Sequence, residues 1–261
     1  MKKTLVCVAP ECFPAAFSAL LTSAPVYDSS CSPEAKVYFI DTDGGYYLKT
    51  AAKGALENEA KMTRYYHSKG LSAEVLSYLQ DDQDWLLTRK VSGEDCIHEM
   101  YLADPKRLCE TTANLLRQLH DIDSTGCPIP HRTENYLETV ARNYRMEHYD
   151  TSLFPDNWGY PSAEEAWNVV QSVGPYLKED TLLHGDYCLP NILLNNWKFS
   201  GFIDLGCGGI GDRHIDLFWG VWTLQFNLKT DAYADRFLDA YGRDRIDPEI
   251  LRSIGAFEVF G

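Results

Sequence analysis

The chain has 261 residues, a formal net charge of −14, and 45% hydrophobic against 24% charged residues. This composition suits one large or two smaller globular domains with a core that needs neither disulfides nor metal, and it excludes disorder and low complexity. The acidic field repels nucleic acid and anionic lipid, so neither is an expected partner, and it attracts cations.

At the N-terminus, Lys2 and Lys3 precede an apolar run from Thr4 to Ala9 that is stopped by Pro10, Glu11 and Pro14. A secretory leader needs about 7–15 apolar residues at that place, so none is expected. The stretch Ile215 to Phe226 is too short to span a bilayer. Eight cysteines are scattered along the chain without a CxxC pair or zinc spacing, which suits buried thiols in a reducing cytoplasm.

In chain order, Lys36-Val-Tyr-Phe-Ile40 and Tyr46-Tyr-Leu-Lys49 are β-branched and aromatic runs around a Gly-containing connection, which predicts a hairpin. An Ala/Glu/Lys-rich pattern from Ala51 to His67 predicts a helix that stops near Gly70. Asp84-Trp-Leu-Leu-Thr88 predicts a further strand. The turn-rich Val91-Ser-Gly-Glu94 then divides the chain into lobes at 1–90 and 91–261. Leu108, Thr112, Leu115, Leu116 and Leu119 share one stripe of a helix that ends in the Asp121–Gly126 turn cluster. Residues 131–178 are polar, aromatic and weakly periodic, so no element is assigned there. Short apolar runs follow at 182–183, 192–194 and 199–203, and then a helical C-terminal third. The expected class is α+β, with a small β-rich front and a larger α-rich back.

The residues that carry chemistry are His184-Gly-Asp-Tyr-Cys-Leu-Pro-Asn191 and Gly201-Phe-Ile-Asp-Leu-Gly206. Asp186 and Asn191 lie five apart, and Asp204 follows Asp186 by 18 residues (204 − 186). Alone, His-Gly-Asp reads as a capped turn and Pro190-Asn191 as ordinary loop chemistry. Together, one carboxylate followed by an amide oxygen and a second carboxylate match phosphoryl transfer. One acid orients and deprotonates a hydroxyl, while hard oxygen donors hold Mg²⁺ on the phosphates.

Leu183–Ile192, Phe199–Gly206 and Gly211-Asp-Arg-His-Ile-Asp-Leu217 resemble the aminoglycoside phosphotransferases, in particular their 3′-phosphotransferase branch. Weaker echoes lie at Ser32–Tyr38, Tyr47–Thr50, Asp84–Leu87 and Ala234–Phe237. The resemblance runs from about residue 29 to the C-terminus and implies a bilobal protein-kinase-like fold. It implies ATP or GTP as phosphoryl donor, Mg²⁺ as metal, and a cationic small-molecule acceptor. By the same resemblance Asp186 is the catalytic base, and Asn191 and Asp204 are the metal ligands. Lys49 contacts the α- and β-phosphates and is positioned by Glu59, with Glu57 as a rival. Ser29, Ser30 and Ser32 belong to the turn over the phosphates, and Val91 to the connector whose backbone meets the base. Asp216 braces the catalytic loop.

Three departures bear on the acceptor. The family's Arg after D-x-G is Cys207 here, and a family carboxylate falls at Phe226. The acidic pair near the C-terminal Phe is reduced to Glu258 beside Phe257. Glu134, Glu138, Glu147, Asp150, Asp156, Glu164 and Glu165 remain candidates to face a cationic substrate. Another small hydroxylated acceptor is the alternative, and a nucleotide-binding pseudokinase a more distant one. A protein kinase is disfavoured, because no activation segment ending in Ala-Pro-Glu follows Asp204.

Overall fold

The computed structural model describes residues 3–22, 24–152 and 158–261. In chain order the elements are β1 (Thr4–Val6), α1 (Ser18–Thr22), β2 (Val26–Asp28), β3 (Ala35–Ile40), β4 (Tyr46–Ala52), α2 (Glu57–Ser68), β5 (Val75–Gln80), β6 (Gln83–Arg89), β7 (Glu94–Asp95), α3 (Glu99–Leu102), α4 (Pro105–His120), α5 (Arg132–Arg145), α6 (Ala163–Val173), β8 (Thr181–Leu183), β9 (Ile192–Asn195), β10 (Lys198–Phe202), β11 (Gly209–Gly211), α7 (His214–Leu228), α8 (Ala234–Tyr241) and α9 (Pro248–Glu258). They form two compact units. The first is Met1–Asp95 with Pro190–Gly206, and the second is Cys96–Leu189 with Cys207–Gly261.

The first unit is built on a six-stranded sheet in the order β1-β2-β3-β4-β6-β5, antiparallel throughout. Side chains alternate faces along each strand, so the sheet sorts its residues by parity. Ile40, Leu48, Trp85 and Leu87 pack with Phe17, Leu21 and Val26 on one face. On the other face Leu86 packs under α2 with Leu56 and Ala60. Lys49 sits opposite Val37 on β3 and Leu86 on β6. A slip of one residue would exchange it for Leu48 and bury an ammonium in the core.

The segment 190–206 joins this unit through a hairpin. Ile192 pairs with Phe202 and Asn195 with Lys198, and Asn196 and Trp197 turn the chain at positive φ. β7 pairs with β9, and the Phe202 N–H donates to the Leu71 carbonyl at 2.7 Å. The lobe division expected at 90/91 therefore differs from the observed grouping, because pairing with β7 and with Leu71 carries 190–206 back to the first unit, in a separate three-stranded sheet of order β10-β9-β7. A cut in sequence cannot express that return.

In the second unit, α4 buries Leu108, Thr112, Leu116 and Leu119 along the expected stripe. Asp104 caps its first turn, accepting from the Arg107 N–H, and Pro105 occupies the first helical position. α4 packs on α8, α6 and α7 pack on α9, and β8 pairs with β11.

The helix expected from Ala51 begins instead at Glu57. Pairing of Ala51 with Asp84 and of Ala52 with Gln83 outweighs alanine's helix preference. α5 and α6 fill much of the span without a readable period, and their buried faces are narrow: Thr133, Tyr136 and Val140 on one, Ala166 and Val170 on the other. Of the cysteines, Cys96 and Cys109 are buried, while Cys7, Cys12, Cys31 and Cys207 are exposed. Among the described residues, no helix is long and apolar enough to cross a membrane.

Candidate active site

The first unit holds a cleft of about 260 Å³. Its sheet wall consists of Ala35 and Val37 of β3, Tyr47 and Lys49 of β4, and Leu86 and Thr88 of β6, all on the face opposite the apolar core. Ser29, Cys31 and Ser32 line it from the turn between β2 and β3, and Val91 from the connector. Asn191, Leu193 and Asp204 line it from the hairpin segment.

The hairpin explains how Asn191 and Asp204 come to one place. They flank the paired ends of β9 and β10, and the Ile203 N–H donates to the Asn191 carbonyl at 3.0 Å. Asp204 has φ 59°, a left-handed conformation unusual for a residue with a side chain, of the kind that gathers at functional sites. Lys49 Nζ donates to Glu59 Oε2 and to Asp204 Oδ1, both at 2.7 Å. Burial alone would lower the Lys49 pKa, but the two carboxylates outweigh it and hold the ammonium above its usual range. Glu57 pairs with Lys61 on the surface, so Glu59 is the partner of Lys49.

The three serines differ in their contacts. The Ser29 hydroxyl is buried at the cleft without a hydrogen-bond partner. Ser30 braces its turn, its Oγ accepting from the Val37 N–H at 3.0 Å while its N–H donates to Asp28. In the connector, the Lys90 N–H is taken by the Gly45 carbonyl at 2.9 Å, and Val91 lines the cleft.

A test for a divalent ion rests on the donor set. Among the described residues, no cluster of three or more His, Cys, Asp or Glu forms a cage. Asn191 and Asp204 nevertheless offer an amide and a carboxylate at one end of the hairpin. That pair fits Mg²⁺, which takes few protein oxygens and completes its octahedron with phosphate and water.

In the second unit, Asp186 is half-buried on the loop after β8. That loop is latched from α7. The buried Asp216 carboxylate accepts from the His184 N–H at 2.8 Å and the Gly185 N–H at 2.7 Å. Its Oδ2 also lies 3.1 Å from His120 Nε2. Burial lowers the His120 pKa, which favours the neutral imidazole. Gly185 has φ 85°, and a Cβ there would stand 1.9 Å from the Cys207 carbonyl oxygen. Glycine alone allows this approach.

Glu258 is buried, and its carboxylate accepts from the Tyr136 hydroxyl at 2.6 Å and from the Trp219 indole. Burial pushes its pKa up to about 7, with Asp186 adding to the rise and Arg132 opposing it. Arg132 was not singled out in the sequence. Its Nε donates to the Cys207 carbonyl at 2.6 Å and its guanidinium lies 5.0 Å over the Tyr136 ring. Its only sequence signal was an Arg opening a weakly periodic span. Glu134, Glu138, Glu147, Asp150, Glu164 and Glu165 are all exposed, and Asp156 lies outside the described residues. Asp150 accepts from Ser152, and Glu164 and Glu165 occupy the first turn of α6, where carboxylates suit a helix N-terminus.

The phosphotransferase enzyme family model APH matches residues 32–253. A Lactococcus lactis protein named probable aminoglycoside 3′-phosphotransferase is 52% identical over 252 residues, 96% of each chain. The fold is similar to that of a crystal structure of aminoglycoside-3′-phosphotransferase of type VIII, with TM-score 0.73, 24% identity and coverage of 89% of this chain and 92% of that one. It is also similar to aminoglycoside phosphotransferase APH(3″)-Id from Streptomyces rimosus in complex with ADP and streptomycin, with TM-score 0.69, 22% identity and coverage of 85% and 90%. From Ser32 onward, then, the latched Asp186 loop and the Lys49–Glu59–Asp204 cluster lie within one recognised frame: the chain belongs to the APH phosphotransferase enzyme family.

Proposed function

We propose that the chain transfers the γ-phosphoryl group of ATP to the 3′-hydroxyl of an aminoglycoside. The observation that carries this reading is the Lys49 ammonium held at 2.7 Å from both Glu59 and Asp204, in a cleft that Asn191 also lines. A permanently charged ammonium there neutralises the α- and β-phosphates, and Glu59 fixes its direction. The Ser29 hydroxyl donates to a phosphate oxygen, and Tyr47, Val91 and Leu193 enclose the base. Asn191 and Asp204 hold Mg²⁺, which when bound neutralises charge on the phosphate oxygens.

Asp186 orients the acceptor hydroxyl and takes its proton. As the acceptor oxygen bonds to the γ-phosphorus, the bond from that phosphorus to its β-bridging oxygen breaks, and ADP leaves with that electron pair. Because the transferred group is nearly metaphosphate-like, positioning and charge neutralisation supply most of the acceleration. Arg132 adds a cation beside Glu258, on the acceptor side. ATP is an intracellular metabolite, so we place the enzyme in the cytoplasm.

A second reading keeps the donor and changes the acceptor to another small alcohol. It is favoured by Glu258, a carboxylate within electrostatic reach of Asp186, being buried on Tyr136 rather than offered to solvent. Coupled ADP release with Mg-ATP separates the two readings. Turnover with 3′-hydroxyl aminoglycosides but not their 3′-deoxy analogues is expected. Silence on every aminoglycoside, with nucleotide still bound, would move the assignment to a different alcohol.

A further inference from the structure

The mechanism above leaves the bare segment Cys207-Gly-Gly-Ile-Gly211 unexplained. In the second unit this segment is the seat of α5. The Ile210 N–H donates to the Ile129 carbonyl at 2.8 Å, just ahead of the helix, and the Asp212 N–H to the Thr133 hydroxyl at 3.0 Å. A Cβ on Gly209, where φ is 150°, would stand 2.8 Å from the Ile129 carbonyl oxygen and 2.9 Å from the Arg132 Cβ. Glycine therefore lets the first turn of α5 come this close, and that turn carries Arg132.

Arg132 is half-buried and held on two sides. Its Nε donates to the Cys207 carbonyl at 2.6 Å, and its guanidinium lies 5.0 Å over the Tyr136 ring. The Cys207 carbonyl oxygen is also the atom that Gly185 crowds, so one carbonyl separates the guanidinium from the residue before Asp186. Among the described residues, neither terminal nitrogen of Arg132 has a hydrogen-bond partner. Glu258 does not take them, because its carboxylate accepts from Tyr136 and Trp219. Its pKa, raised to about 7, also means that it cancels the cation only in part at neutral pH.

What remains is a permanently charged fork with four unspent N–H groups, anchored at its Nε. Such a fork matches two oxygens of one phosphate group. A cationic acceptor would repel it, whereas transfer brings the anionic γ-phosphoryl group to Asp186. The transition state spreads charge over three equatorial oxygens of that group. Cys207, which follows the D-x-G motif, offers no cation for them.

We infer that Arg132 is a catalytic residue whose two terminal nitrogens take two oxygens of the γ-phosphoryl group as it passes to the acceptor. The assignment rests on the proposed phosphotransfer. Arg132 exchanges no proton and forms no bond in the step. The acceptor proton still goes to Asp186, and the electron pair of the broken bond still leaves on ADP.

The test compares wild type, Arg132→Ala and Arg132→Lys, with Mg-ATP as donor and neamine as acceptor. Arg132→Ala is expected to slow single-turnover transfer by about 10²–10³-fold, while KM for ATP and for neamine stays within about threefold. Arg132→Lys keeps the charge without the fork and is expected to lose about tenfold. Aluminium fluoride, a mimic of the transferred group, gives a readout that a merely structural role would not move. It should tighten Mg-ADP binding in wild type and do so about 10²-fold less in Arg132→Ala, with Mg-ADP affinity alone unchanged. Transfer within about threefold of wild type in Arg132→Ala, or fluoride tightening of wild-type size, would overturn the assignment. Where Arg132→Ala does not fold, Arg132→Lys decides by the same measurement: weaker tightening supports the fork, and wild-type tightening overturns it. If wild type phosphorylates no aminoglycoside, the proposed function fails by itself. Mg-ADP with aluminium fluoride, and water in the acceptor's place, then judges Arg132 alone. Weaker tightening in Arg132→Ala supports it, and equal tightening, or none in wild type, overturns it.

Discussion

Glu59 in the first unit is held in the opposite way from Asp216 and Glu258 in the second. In the first, Glu59 is matched by a cation: Lys49 is shared between it and the more exposed Asp204, and the cluster opens onto the cleft. In the second, Asp216 is matched by two backbone N–H groups and a histidine, and Glu258 by a tyrosine hydroxyl and an indole. An ion pair at a cleft is preorganised for a ligand that brings its own charge. Neutral donors around a carboxylate instead fix a loop, or leave the acid able to change its proton. The division suits a reaction whose donor is a polyanion and whose acceptor must be positioned without one.

The largest expected effect strikes the latch. Asp216→Ala strands the His184 and Gly185 N–H groups and His120 in the interior, at about 1–3 kcal/mol for each unmet donor. We expect a loss of about 3–5 kcal/mol in urea unfolding, and partial recovery in Asp216→Asn, which keeps an acceptor oxygen. An unchanged urea midpoint would show that the loop is held by something else.

Next comes the charge cluster. Lys49→Ala should lower kcat/KM for ATP by about 10²–10³-fold, comparable to the loss of one preorganised donor at developing charge. Acceptor affinity, measured by isothermal titration without nucleotide, should be unaffected if the two units divide the work as described.

Smallest is a pH effect at Glu258. Its folded pKa is raised from 4.5 to about 7, chiefly by burial, so the folded chain binds more protons than the unfolded chain between those values. The contribution is fully present below pH 4.5 and is lost as pH rises through 7. Glu258→Gln should flatten this dependence, relative to wild type, by about 1–3 kcal/mol between pH 5 and 8, read by urea melts. A wild type that gains stability over that range relative to the variant would give the wrong sign.

What could be read from the sequence follows the same division. Asn191 and Asp204 were singled out by spacing and family resemblance and Lys49 and Glu59 by the resemblance, although Lys49 lies in the middle of β4 rather than at a strand end. The observed register then places Lys49 on the cleft face. Asp216 was also legible as a brace, because its segment Gly211–Leu217 carries the family resemblance. Arg132 and Tyr136 were not. α5 shows only a narrow buried stripe, so its period was hidden. The pairing of Glu258 with Tyr136 spans 122 residues and is made by packing alone. The return of 190–206 to the first unit escaped for a similar reason, since a two-residue strand such as β7 has no detectable pattern.

The most direct test is rapid-quench single turnover of radiolabelled ATP by Asp186→Asn, with nucleotide affinity measured on the same protein. Mg-ATP should bind within about twofold of wild type while transfer to a 3′-hydroxyl aminoglycoside slows by about 10²–10⁴-fold. Transfer at a near wild-type rate would contradict Asp186 as the base, and with it the assignment of acceptor chemistry to the second unit.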